Sequence, residues 1–168
     1  MKIFQMRIIR IALLVIAVLF VVIQFVRPER NESNKNSQHL SQTLPFPDSV
    51  AHILQTACYD CHSNHTEYPW YFKVQPVAWW MNDHIEEAKH DLNFSEFSGY
   101  RIFRQFRKLR QIDTTIQTGF MPLDSYTWIH RDAKLSPEQK ATIHAWSNAL
   151  CDSLQRKYPI DSLRKPSH

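Results

Sequence analysis

From Ile11 to Ile23 every residue is apolar, and Phe25 and Val26 carry the run past Gln24. At ~1.5 Å per residue, a helix from Ile8 to Val26 would reach roughly 28 Å, close to the hydrocarbon core of a bilayer. Arg10 stands near one end, where a long side chain can snorkel to the interface. A cleaved leader would need a small-residue site after the run. The chain continues instead with Gln24-Phe25-Val26-Arg27-Pro28-Glu29-Arg30, so residues 1–26 read as an uncleaved transmembrane anchor. Residues 27–47 are rich in Asn, Ser, Gln and charge and offer little to bury. They read as a flexible tether.

Beyond the tether the apolar spacing turns helical. Val50, Ile53, Leu54 and Ala57 predict a first helix from Asp48. After a loop with aromatics and a proline (63–71), Pro76 can open a second helix through Trp79, Trp80, His84, Ala88 and Leu92. Asn93 to Glu96 break and recap the chain. A third helix over about 99–112 places Ile102, Phe103, Phe106, Leu109 and Ile112 on one side. Residues 118–123 form a loop. Ser136-Pro137-Glu138-Gln139 then has Ser at the N-cap, Pro at N1 and Gln at N3, the signature of a capping box. The stripe of this last helix is Ile143, Trp146, Leu150 and Leu154, and it ends before Pro159. No strand and no internal repeat is evident. The folded domain is 48–158, with a disordered tail over 159–168.

Composition supports an all-α chain. There are only 2 glycines against 9 prolines, and hairpin-rich β folds need glycine in their turns. The net charge of +4 lies entirely in residues 1–47. The remainder is balanced, which leaves no electrostatic footprint for nucleic acid.

Cys58-Tyr59-Asp60-Cys61-His62 has the form C-x-x-C-H, the attachment signature of a c-type haem. Two thiols three residues apart on one helical turn can each form a thioether to a haem vinyl group. The histidine that follows is carried under the ring, where it can bind the iron. In bacteria this attachment is made outside the cytoplasm, so the domain is expected to face the periplasm from a single-pass anchor in the inner membrane. A zinc site could draw on Cys58, Cys61 and His65 but lacks a second ligand pair at familiar spacing. A redox dithiol would want a βαβ setting. The third cysteine, Cys151, reads as a buried thiol on a helix face.

Over residues 45–150 the chain resembles the bacterial haem-binding domain family, small cytochrome c-like domains usually tied to the membrane. Four segments in order carry the likeness. The first is Cys58-x-x-Cys61-His62-Ser63-Asn64-x-Thr66-x-x-Pro69-Trp70-Tyr71, and the second is Pro76-x-x-Trp79-Trp80-x-x-x-His84. The third is Leu92-Asn93-Phe94-Ser95-Glu96, and the last is Met121-Pro122-Leu123-x-x-Tyr126-x-x-x-His130 before Leu135-Ser136. The family often has Gly where this chain has Ala88, a departure that bears on helix packing. The resemblance implies an all-α, cytochrome c-like domain wrapped around one covalent haem c, preceded by one transmembrane helix.

The sixth iron ligand decides what such a haem does. Met121 is the leading candidate, since it sits in a loop, precedes Pro122, and follows His62 by 59 residues. Small c-type cytochromes similarly present a Met-Pro loop to the open haem face. His84, His130, His65 and Met81 remain rivals. Trp70, Tyr71, Trp79 and Trp80 read as core around the macrocycle. Arg101, Arg104 and Lys108 share a helix face that reads as solvated, or else as a propionate clamp or docking patch. The resulting expectation is a single-electron carrier rather than an enzyme, with redox proteins of the periplasm or membrane as partners. The alternatives are a haem-based sensor or peroxidase-like module with a displaceable sixth ligand, and a structural zinc module.

Overall fold

A computed structural model describes residues 2–165. Seven α-helices occur among them: α1 (Lys2–Ile23), α2 (Asp48–Ala57), α3 (Tyr59–His62), α4 (Val77–Asp91), α5 (Ile102–Gln117), α6 (Asp124–Thr127) and α7 (Pro137–Lys157). Short 3-10 turns join them, and the only extended pairing among the described residues is one bridge between Glu32 and His65. The fold is all-α.

The stripes read from the sequence build the core. Leu109, Ile112 and Ile116 of α5 meet Ile143, Trp146, Leu150 and Leu154 of α7, and α2 adds Val50, Ile53 and Leu54. Ser147 donates its hydroxyl to the Leu109 carbonyl at 2.7 Å, which fixes the α5–α7 register. The α7 start is the expected capping box, with Ser136 and Gln139 bonded reciprocally. Helix α5 runs five residues past the expected end because Ile116 continues the stripe and is buried. Cys151 is buried in the same core, as read.

Two expectations from composition are corrected. The first concerns 27–47, which do not hang free. Leu40 is completely buried in the core cluster, and Leu44 and Phe46 pack against it. Asn31, also buried, donates its amide to the Ser63 carbonyl and the Thr66 hydroxyl and accepts from Lys89. Three apolar residues in a polar segment make no periodic signal, and the remaining contacts come from amide groups that also suit a solvated linker. The second concerns 159–168. Ile160–Leu163 form a turn with Leu163 buried against the core. Residues 166–168 of that expected tail lie outside the described residues.

Helix α1 stands apart from the core. Its Phe4–Ile23 stretch has mean hydropathy 2.8 with none of it buried. It is long and apolar enough to cross a membrane.

Candidate haem site

Helix α2 ends where Cys58 leaves helical geometry (φ −132°). The chain re-enters one helical turn as α3, with the His62 N–H bonded to the Cys58 carbonyl at 2.9 Å. After this break the His62 ring reaches the end of α4, while Cys58 packs against the core. His62 Nδ1 lies 3.1 Å from the Ala88 carbonyl and 2.9 Å from the Leu92 carbonyl. Both partners can only accept, so Nδ1 carries the proton and the Nε2 lone pair is left for a metal. Burial holds the imidazole below its ordinary pKa, against the opposing pull of those two carbonyls. The ring is therefore neutral, the form that ligates. Ala88, which drew attention only as a packing position, supplies one of the carbonyls.

The end of α4 is itself held by α5. Arg104 Nη2 donates to the His90 carbonyl at 3.1 Å and more weakly to that of Asp91. Lys108 is 2 % exposed and donates to Asp91 and Gln111. The reading of Arg101, Arg104 and Lys108 as a solvated face is thereby corrected for Lys108, while Arg101 is exposed and Arg104 partly so. Arg104 caps the last carbonyls of α4, and Lys108 holds the Asp91 side chain at the same end, where cations are stabilised by the helix dipole.

The loop after α5 brings Met121 to the same place. Gly119 takes a left-handed conformation (φ 74°) that a residue with a Cβ would resist. The chain folds back so that the Met121 N–H meets the Thr115 carbonyl at 3.1 Å. Cys58, Cys61, His62, His84 and Met121 then border one cavity of about 310 Å³. A second cavity of about 290 Å³, walled by Trp70, Tyr71, Trp80, Met81 and Ile129, shares Cys61, His84 and Tyr126 with the first. These two adjoining cavities lie at the lower end of the range of ligand pockets, ~300–1,000 Å³. Unpaired thiols, an imidazole with a free nitrogen, a thioether and apolar walls together fit a haem. Burial pushes the Cys58 thiol up to about 12, with Cys61 adding to it. Cys61 is pushed to about 11 by burial and then by Asp60. Both are protonated thiols at neutral pH.

The other candidates separate. His84 points Nδ1 at the Trp80 carbonyl, 2.8 Å away, and so also has Nε2 available. His130 is engaged, with Nε2 2.8 Å from the Tyr71 hydroxyl and its ring stacked on Tyr126. His65 lines a polar pocket of about 660 Å³ with Tyr59 and Ser63; that pocket meets the thiol-lined cavity at Asp60 and Tyr126, but His65 itself does not border the thiols' cavity. Among the described residues no three His, Cys, Asp or Glu side chains gather into a metal-holding cluster, so Cys58, Cys61 and His65 do not form a zinc site. Trp79 does not wall the cleft; its indole N–H bonds the Val26 carbonyl. Trp70 and Trp80 are exposed rim rather than core.

Sequence reasoning missed the polar lattice that holds the motif. Tyr126 donates to Asp60 Oδ2 at 2.7 Å, and the Glu67 N–H bonds Asp60 Oδ1. Burial and that bond to Asp60 raise the Tyr126 pKa. The Asn64 N–H bonds the Ser95 hydroxyl, and Asn93 donates to Asn64 Oδ1 at 2.7 Å. A signal for this existed, because Ser63-Asn64, Asn93-Phe94-Ser95 and Tyr126-x-x-x-His130 all lie in the segments that carry the family resemblance.

No curated protein and no solved structure matches the chain. A family model described as a haem-binding domain matches residues 18–149, from the last turns of α1 through most of α7. The chain belongs to the haem-binding domain family and is a haem-binding protein.

Proposed function

We propose that this protein is a membrane-anchored, single-haem electron carrier whose domain faces the bacterial periplasm. In this reading Cys58 and Cys61 hold the haem covalently, and His62 and Met121 bind its iron. The observation that carries the reading is that Cys58, Cys61, His62 and Met121 border one cavity. A haem held there supplies a reversible one-electron iron couple.

The chain's own groups suit that task. Two carbonyls fix the His62 ring and its tautomer. Apolar walls limit water, and a thioether ligand favours the reduced state. Met121 is preferred to His84 on placement. His84 lies one turn before Ala88 on α4, the helix whose carbonyls take the His62 ring, whereas Met121 approaches from the loop beyond α5. The periplasmic orientation rests on the thioether chemistry of the motif and on α1 as the span.

Two spectra test this. The denatured protein in alkaline pyridine should keep its haem through acid–acetone extraction and show a haem c spectrum; extractable haem would refute covalent attachment. The native ferric protein should show the weak methionine-to-iron charge-transfer band, lost in Met121→Ala. A wild type without that band transfers the assignment to His84. Rapid carbon monoxide binding at neutral pH would select a sensor or peroxidase-like role.

A further inference from the structure

Helix α1 is fastened directly to the haem domain. Gln24, the residue after the apolar stretch, pairs its side-chain amide with the backbone of Gln75. The Gln75 N–H donates to Gln24 Oε1 at 2.9 Å, and Gln24 Nε2 donates back to the Gln75 carbonyl at 3.3 Å. The Gln75 side chain and the Trp79 indole both donate to the Val26 carbonyl, each at 2.9 Å. Arg27 Nη1 donates to the Lys73 carbonyl at 2.7 Å. Gln75 is completely buried at this joint. No linker therefore separates the end of the helix from the turn Trp70–Lys73 and the start of α4.

That joint is surrounded by exposed apolar side chains. Trp70 is 76 % exposed, Trp80 is 49 % and Val74 is 36 %. Ile129 is also exposed and borders the same cavity as Trp70 and Trp80. Tryptophan and isolated aliphatic groups in this position are poorly served by water. At a bilayer surface they are favoured, because indole is stabilised at the headgroup level. Arg27 and Lys73 stand at the same joint as exposed cations, where anionic headgroups attract them.

We propose that the face carrying Trp70, Val74 and Trp80 rests in the headgroup layer of the bilayer that α1 enters, turning the mouth of the haem cleft toward the membrane surface. The inference rests on α1 being a membrane span. The geometry then leaves little choice, since at ~1.5 Å rise per residue Gln24 lies within about 2 Å of the end of the apolar stretch along the axis. The domain is held at that level by five hydrogen bonds rather than carried away on a tether. A cleft facing the lipid surface would exchange electrons with partners in or on the membrane.

Photocrosslinking of the full-length, haem-loaded protein in phosphatidylethanolamine–phosphatidylglycerol vesicles tests this. Benzoylphenylalanine replaces, one at a time, Leu14 in α1, Trp70, Trp80, and the exposed Asn148 on α7. Each variant is first checked for its haem spectrum. Lipid adducts are expected from positions 14, 70 and 80 and not from 148. In a Gln24→Ala background the yield at position 80 should fall several-fold, while that at 14 stays unchanged. Adducts at 14 without adducts at 70 and 80 would overturn the docked face and leave the anchor standing. Absence of adducts at 14 would remove the anchor itself and the proposal with it.

Discussion

His62 is positioned by carbonyls, so it is no better fixed than the end of α4 that presents them. Lys108 is the side chain that completes that end. It is nearly inaccessible, and its partner Asp91 is 55 % exposed. Replacing Lys108 by Met leaves no buried carboxylate stranded, because Asp91 can turn to water. Global stability should therefore change by less than the ~3–5 kcal/mol of a buried pair broken from one side. The reduction potential should respond more clearly. Loss of a cation near the proposed iron ligand favours the oxidised state, so the potential should fall on the order of 60 mV, a tenfold shift for a one-electron couple. Potentiometric titration of Lys108→Met beside wild type checks this, and an unchanged potential would show that Lys108 serves packing alone. Cys58, Cys61, His62 and Met121 were legible as site candidates because their chemistry is in their side chains and spacing. Ala88 and Leu92 were not, since a backbone carbonyl leaves no mark in the sequence. Lys108 was hidden for the opposite reason: an ammonium on an amphipathic stripe reads as solvent-facing unless the carbonyl end of another helix is known to lie opposite.

At the scale of elements, periodicity located α2, α5 and α7, because each buries a stripe on the same core; α4 forms where Pro76 opens it, but it buries Ala78 and Ile85 rather than the expected stripe of Trp79, Trp80, His84 and Ala88. It could not locate the packing of 31–46. Leu40 and Leu44 are one helical turn apart but Phe46 breaks the spacing, two such positions make no stripe, and Asn31 and Asn64 act through amides that score as polar. Leu40 offers a direct measure of how much that segment matters. It is completely buried, as the first residue of a 3-10 turn (Leu40–Gln42) whose N-cap is His39. Truncation of a fully buried leucine costs about 2–5 kcal/mol. Leu40→Ala should lower the denaturant midpoint accordingly, with the haem spectrum unchanged because Leu40 does not border the cleft. A cost under about 1 kcal/mol would mean that the segment is peripheral, closer to the tether that composition suggests.

The whole molecule divides its apolar burial unevenly about the cleft. On one side α5 and α7 bury Leu109, Ile112, Ile143 and Leu150 among others. On the other, α3 and α6 contribute no buried residue and α4 only Ala78 and Ile85. Two cavities of about 290 and 310 Å³ lie between α3, α4 and the loop around α6. Apolar surface lining a cleft gains its packing contacts from the group bound there rather than from the chain's own side chains. The haem is thus expected to be a structural partner for α4 and α6 and much less so for α5 and α7. The Cys58→Ser/Cys61→Ser variant, which cannot hold a haem by thioethers, separates these halves when it is purified free of haem. Its far-UV circular dichroism should retain most of the helical signal. Amide hydrogen exchange should stay slow at Leu109, Ile112, Ile143 and Leu150 and become fast through α4 and residues 120–130, because local opening costs least where buried contacts are fewest. Addition of free haem should restore part of that protection if His62 and Met121 bind the iron without the covalent bonds. Equal loss of protection in both halves would instead mean that the α2–α5–α7 core does not stand on its own and that the fold is one cooperative unit built on the haem.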